Sequence, residues 1–188
     1  MLYTRKGDKG TTRVFGCDQR ISKSSTIAEA LGALDEVNSY LGLCRADMRG
    51  RSIFVVPVKK RKRSIERVVL DIQQTLFIVQ AEVAGATKKV SRAKVAALEA
   101  STDALEQAMP PIHTFSIPGG SHLSALFDVA RTLARRAERC VVAVHEEGVQ
   151  HVSTYTLAYL NRLSSLLFAL ARYANHVDGV TEESPTYR

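Results

Sequence analysis

With 188 residues, 45% of them hydrophobic and 24% charged, the chain is long enough to bury one substantial core and ordinary in composition for a single globular domain. No run approaches the ~18 apolar residues of a membrane-spanning helix, the stretch around Arg5, Lys6, Asp8 and Lys9 holds no apolar signal segment, and Cys17, Cys44 and Cys140 are odd in number, widely spaced and without a Cys-x-x-Cys pair. These features predict a cytoplasmic protein with free thiols, and a net charge of +7 with a pI near 9.5 favours an anionic partner.

Residues 1–23 carry three glycines and no helical period, and they read as a loop with structure of its own. Gly7 and Gly10 permit tight turns that expose successive backbone N–H groups. Thr4, Thr11 and Thr12 add hydroxyls, and Lys6, Arg13 and Lys23 add cations, which together are the ingredients of an anion-binding nest. The Gly-x4-Gly-Lys-Ser/Thr pattern is absent, so this is not a Walker loop. An arm that only packs on the domain uses the same residues.

From Ser25 to about Met48 the spacing of Ile27, Leu31, Leu34, Val37, Tyr40 and Leu41 predicts the first amphipathic helix. Asp35 and Asn38 share a face beside that stripe, with Asp35 either solvated or the partner of an arginine on another helix. Residues 49–63 break the pattern with Arg49-Gly50, an apolar run interrupted by Pro57 and the basic run Lys59 to Arg63, and they predict a connection with a brief extended piece. The basic run fits a solvated loop as well as a membrane or nucleic-acid patch. The lack of interleaved aromatic residues argues against nucleic acid. A second helix follows from Ile65 to near Gly85, and a third from Ser91 to about Met109, stopped by Pro110-Pro111.

Pro118 and Gly119-Gly120 then end whatever precedes them, and Ser121 is a good N-cap for a fourth helix that closes near Gly148. At about 100° per residue, Arg131, Arg135, Glu138 and Arg139 fall in one sector beside the apolar surface of Leu126, Val129, Ala130, Leu133, Ala137, Val141 and Val144. A guanidinium stripe in that place either pairs with carboxylates such as Asp128 and Glu138 or holds a polyphosphate. The fifth helix spans about Ser153 to His176, with Asn161, Arg162 and Ser165 next to its apolar side. The tail after Gly179 is polar and reads as loose. His113, His122, His145, His151 and His176 show no zinc spacing. The sum is an all-α chain: a five-helix antiparallel bundle over 25–176, preceded by a structured N-terminal loop (1–24) and followed by a flexible tail (177–188).

Five blocks in order, Tyr3 to Arg13, Ala33 to Ser39, Phe115 to Gly120, Val129 to Arg139 and Leu160 to Phe168, resemble the PduO-type ATP:cob(I)alamin adenosyltransferases over nearly the whole chain. The resemblance implies transfer of the 5′-deoxyadenosyl group of ATP to the cobalt of reduced cobalamin, with release of triphosphate. It implies a homotrimer whose active sites lie between subunits, with Mg²⁺ on the ATP phosphates. A cob(II)alamin reductase and an adenosylcobalamin-dependent enzyme are the partners it suggests. By motif, Arg135 matches the arginine on the leaving triphosphate, and Arg136, Glu138 and Arg139 match the rest of the nucleotide-contacting set. Thr4, Arg5, Lys6, Gly7, Thr12, Arg13 and Lys23 match the ATP loop. Asn161 matches an asparagine near the phosphates and Mg²⁺, Arg131 and Asp35 match a salt bridge near the corrinoid, and Phe115 matches the aromatic residue that excludes the lower axial ligand of cobalt. The chain departs from the family pattern at Gly16-Cys17, at the register of Lys23, at Ser24 and Leu31, and in the basic connection. A corrinoid-delivery protein with the same fold and little turnover is the alternative reading.

Overall fold

The computed structural model describes residues 3–14, 20–50, 55–58, 61–112 and 114–187, with the backbone alone at 55–58, 61 and 62. Gly16, Cys17, Lys59, Lys60 and His113 lie outside the described residues. Two short hairpins, β1 (Thr11–Arg13) with β2 (Arg20–Ser22) and β3 (Val55–Val58) with β4 (Arg61–Ser64), accompany five helices: α1 (Thr26–Asp47), α2 (Ile65–Val83), α3 (Arg92–Gln107), α4 (His122–Glu146) and α5 (Thr154–Val177).

A serine precedes each helix. The hydroxyls of Ser25, Ser64 and Ser121 accept from the backbone N–H groups of Ala28, Arg67 and Ser124 at 3.4, 3.3 and 3.3 Å. Each bond satisfies one of the donors that a first helical turn leaves unpaired.

Contacts between helix ends fix the direction of every helix. His122 at the start of α4 meets Asp47 at the end of α1 (Nδ1 to Oδ1, 3.0 Å), and Thr26 at the start of α1 donates to Glu147 just beyond α4 at 2.6 Å. Arg45 near the end of α1 bonds Glu66 at the start of α2 at 3.4 Å. Met109 and Pro110, just beyond α3, share a small cavity with Arg172, Asn175 and His176 near the end of α5. Successive helices therefore alternate in direction, and α3 runs parallel to α5, its neighbour. α4 lies between α1 and α5, and α3 completes the bundle from the side.

The core takes side chains from every helix. Leu34, Leu76, Leu105, Phe127 and Leu163 are all fully buried, and burial of a side chain of that size contributes about 2 kcal/mol each. Cys44 is also buried, and burial pushes its thiol up to about 12, so it is an inert member of the core.

The all-α reading holds; the N-terminal stretch expected to be a loop contains the first hairpin, and the connection expected to hold a brief extended piece contains the second. Strands of three and four residues are too short to show alternation in sequence. The tail is a clearer correction. Expected to be loose, it is tied down: Glu182 pairs with Arg172 at 2.9 Å, the Glu183 carbonyl accepts from Ile117 N–H at 2.8 Å, and Ser184 bonds Thr114 at 2.8 Å.

One buried carboxylate holds the bundle at the opposite end. Glu82, 1% exposed in the last turn of α2, accepts from Ser153 N–H (2.7 Å) and from the Thr156 hydroxyl (2.5 Å), and so caps the start of α5 from another helix. Glu82→Ala leaves both donors unpaired and is expected to lower stability by about 2–4 kcal/mol, with Glu82→Gln losing less. Urea denaturation at fixed protein concentration measures it, and a loss below about 0.5 kcal/mol would show that the cap is dispensable.

Candidate functional site

The site is built on α4 and on the turn that leads into it. Gly119 (φ +123°) and Gly120 (φ +99°) take backbone conformations closed to other residues, and they carry the chain from the Phe115 segment into the Ser121 cap. Asp128, one and a half turns into α4, accepts from Gly119 N–H at 3.1 Å, and Ser124 donates its hydroxyl to the Gly119 carbonyl at 3.0 Å. Burial raises the Asp128 carboxyl above its ordinary value, against the opposing pull of Gly119 N–H and Arg131. Phe115, 80% exposed, is held out from the bundle on this turn.

Further along α4 one face is buried through Ala130, Ala134, Ala137 and Val141, which leaves the cations to the opposite side. Arg131 is half-buried, its Nε 3.7 Å from Asp128 Oδ1 and without a hydrogen-bond acceptor. Arg135 and Arg139 are exposed and form no ion pair with a described residue. Beside them a polar chain crosses to α5 and α3. Asn161 Nδ2 donates to Glu138 at 3.0 Å, Arg162 Nη1 donates to Asn161 Oδ1 at 2.8 Å, and Arg162 Nε reaches Glu99 at 3.4 Å. Arg136 points elsewhere. It sits about 140° around the helix from Arg131 and pairs with Glu36 of α1.

The N-terminal loop is organised by a residue that the pattern did not single out. Arg20 donates to the Lys6 carbonyl (2.5 Å), the Thr11 carbonyl (2.7 Å) and the Thr11 hydroxyl (2.8 Å), and so gathers both arms of the loop. Arg5 takes a left-handed φ of +58° with its guanidinium 5.4 Å from the Tyr3 ring centre, Lys23 N–H donates to Gly10 O at 2.9 Å, and the Lys23 side chain packs against Gly7. Thr4, Arg5, Lys6 and Arg13 are exposed, and Thr12 is half-buried. The loop lies near the start of α1 and the end of α2. Arg13 lines a cavity of about 680 Å³ there with Asp35, Leu31 and Phe77, and Val14 lines it and a second cavity of about 560 Å³ with Ile27 and Gln150. No α4 residue lines either cavity.

The family model described as cobalamin adenosyltransferase matches residues 2–174. The chain belongs to the cobalamin adenosyltransferase family. It is 40% identical over 184 residues to corrinoid adenosyltransferase PduO of Citrobacter freundii, a match that takes 93% of this chain and 50% of that protein. It is 37% identical over 183 residues to corrinoid adenosyltransferase of Bacillus subtilis strain 168, covering 95% of this chain and 89% of the relative. The chain thus spans about half the length of the Citrobacter PduO relative and most of the Bacillus one. Among solved structures it is similar to a variant of the PduO-type ATP:corrinoid adenosyltransferase from Lactobacillus reuteri complexed with cobalamin and ATP, with a TM-score of 0.88, 29% identity and coverage of 100% of this chain and 97% of that one. A second variant of that enzyme, complexed with ATP, gives a TM-score of 0.85 at 30% identity, covering 98% and 100% of the two chains.

Within this family member, then, the structure brings Arg135, Glu138, Arg139 and Asn161 together and keeps Phe115 at the head of the same helix. It does not join Asp35 to Arg131. Asp35 is exposed on α1 and faces the cavity with Arg13, while Arg131 turns to Asp128 on its own helix. The α1 acid that pairs with an α4 arginine is Glu36, and it takes Arg136 out of the exposed cationic sector. Of the residues without an assigned role in the pattern, Asp128 left a signal in its i, i+3 spacing from Arg131, whereas Arg20 left none beyond its charge.

Two outcomes are expected. Arg20→Ala frees the Lys6 and Thr11 carbonyls, and amide exchange at Thr11 to Arg13 should quicken by at least ~10-fold; unchanged protection would remove Arg20 from its organising role. Because the folded Asp128 binds its proton more tightly than the unfolded one, its contribution to stability is present in acid and lost as pH rises through the raised value. Asp128→Asn should therefore gain stability relative to the parent from about pH 4 to about pH 7, and a relative loss over that window would contradict the burial argument.

Proposed function

We propose that the chain is an ATP:corrinoid adenosyltransferase that moves the 5′-deoxyadenosyl group of ATP onto the cobalt of cob(I)alamin, giving adenosylcobalamin and triphosphate. One observation carries the reading: Arg135 and Arg139, exposed and unmatched by any described carboxylate, stand on the helix whose head presents Phe115. Guanidinium forks left open in that way suit a polyphosphate. The relatives named corrinoid adenosyltransferase and the structures complexed with cobalamin and ATP support the same choice.

The chemistry suits these residues. The cobalt(I) lone pair attacks C5′, the Co–C bond forms, and the C5′–O bond breaks with its electron pair leaving on triphosphate. The nucleophile needs no general base, so the protein's tasks are alignment and stabilisation of the leaving charge. Arg135 is assigned to the departing triphosphate, with Arg139 beside it. Glu138 and Asn161 hold each other at 3.0 Å and form the wall of the nucleotide side. Thr4, Arg5, Lys6, Gly7, Thr12, Arg13 and Lys23 are assigned to the nucleotide as its closing loop. Phe115 is assigned to the lower face of the corrin, where an apolar ring displaces the axial ligand and eases reduction of cob(II)alamin. Arg131, its buried Nε lacking an acceptor, and Asp35 are assigned to the corrinoid side.

Because the loop and the α4 arginines share neither cavity at the loop, we assign the complete site to the meeting of two copies in a homotrimer. Among the described residues no three His, Cys, Asp or Glu side chains converge, and Asn161 and Glu138 already engage each other. The fit is to a Mg²⁺ that arrives on ATP and takes its ligands mainly from phosphate. The reading also includes a cytoplasmic location, a reductase that supplies cobalt(I) and an enzyme that consumes adenosylcobalamin; no helix among the described residues is long and apolar enough to cross a membrane.

The test is anaerobic. Purified protein mixed with ATP, Mg²⁺ and chemically reduced cob(I)alamin should show the optical change to adenosylcobalamin together with stoichiometric triphosphate. Arg135→Ala should lower kcat by at least ~10²-fold, the size expected when one donor to a developing charge is removed. Corrinoid binding without conversion would make the chain a carrier, and near-parental turnover of Arg135→Ala would sink the role given to that residue.

A further inference from the structure

The turn behind Phe115 is gripped from the far end of α5. Asn175, 4% exposed, donates through Nδ2 to the Gly119 carbonyl at 3.0 Å and accepts through Oδ1 from Ser121 N–H at 2.9 Å. Its own carbonyl accepts from Val180 N–H at 2.9 Å, where the tail leaves the helix. One buried amide therefore bridges the peptides on both sides of Gly120. The fit leaves no slack: a Cβ at Gly120 would stand 2.5 Å from Asn175 Oδ1 and 2.9 Å from Nδ2. On the other side of the turn Asp128 takes Gly119 N–H, and on the outer edge Ile117 N–H is held by Glu183.

Phe115 has little packing of its own, so its place over a bound ligand is set by the turn that carries it. Asn175 is the residue that joins this turn and the cap of α4, through its side chain, to the root of the tail, through its backbone carbonyl. We infer that Asn175 is a positioning residue for the corrinoid side of the site, fixing Phe115 at the height needed to keep the lower face of the corrin clear. The inference rests on the role proposed for Phe115 above. It involves no contact between Asn175 and substrate, and buried amides that satisfy both ends are well suited to fix one geometry.

The experiment records optical and electron paramagnetic resonance spectra of cob(II)alamin bound with ATP, alongside steady-state kinetics, for the parent, Asn175→Ala, Phe115→Ala and the double variant. Asn175→Ala should lower the fraction of cob(II)alamin without its lower ligand by at least ~5-fold and kcat by ~10-fold or more, while the ATP KM stays within about 2-fold. The double variant should match Phe115→Ala, because one residue acts through the other. Asn175→Asp keeps the acceptor for Ser121 but sets an oxygen against the Gly119 carbonyl. It carries the same expectation and serves should the alanine variant fail to fold. A parental spectrum in folded Asn175 variants, or effects that add to those of Phe115→Ala, would overturn the inference while leaving Phe115 its role. A parental spectrum in Phe115→Ala would remove that role and this inference with it.

Discussion

An α-helix has one period, and α4 must use it for two purposes. Burying Ala130, Ala134 and Ala137 against α1 and α5 fixes which side of the helix faces the core, and the 3.6-residue repeat then forces Arg131, Arg135 and Arg139 to the opposite margin. The alanines matter for a second reason. Small side chains let α5 approach closely enough for Asn161 to reach Glu138 at 3.0 Å, so the packing that stabilises the bundle also assembles the polar wall next to the cations. Arg136 shows the rule from the other side, since its position on the helix turns it to α1 and to Glu36.

The same helix sets a distance scale. Asp128, which anchors the Phe115 turn, and Arg135 are two turns apart, or about 10 Å along the axis. Asp128 holds the turn behind Phe115 at one end of that interval, and Arg135 lies exposed at the other. The N-terminal loop is anchored at the other end of the bundle, near Ile27 and Gln150, where no α4 residue shares its cavities. Within one chain the α4 cations thus line neither cavity at the loop, which is why the proposed site is assigned to two copies.

Much of this was legible in the sequence because it depends on local rules. Serine caps, apolar spacing and the Pro118-Gly119-Gly120 break each act within one turn, and the helices start within a residue or two of where these signals put them. The cationic sector was legible for the same reason. What the sequence hid are contacts between distant segments: Glu82 capping α5 across 71 residues, Asn175 holding a turn 56 residues away, and Glu36 reaching Arg136. A tail of polar residues looked loose because its bonds run to the backbone and side chains of the Phe115 segment, which no composition reveals.

Subunit complementation tests most directly the claim that the loop and the α4 arginines of one site belong to different copies. Arg135→Ala chains, with an intact loop, are mixed and reassembled with Lys6→Ala chains, whose α4 is intact, each variant being nearly inactive alone. Random assembly should restore about a quarter of the parental activity, the share of interfaces at which an intact loop meets an intact α4. Activity no greater than the sum of the two separate variants would place the whole site within one chain and contradict the assembly proposed for it.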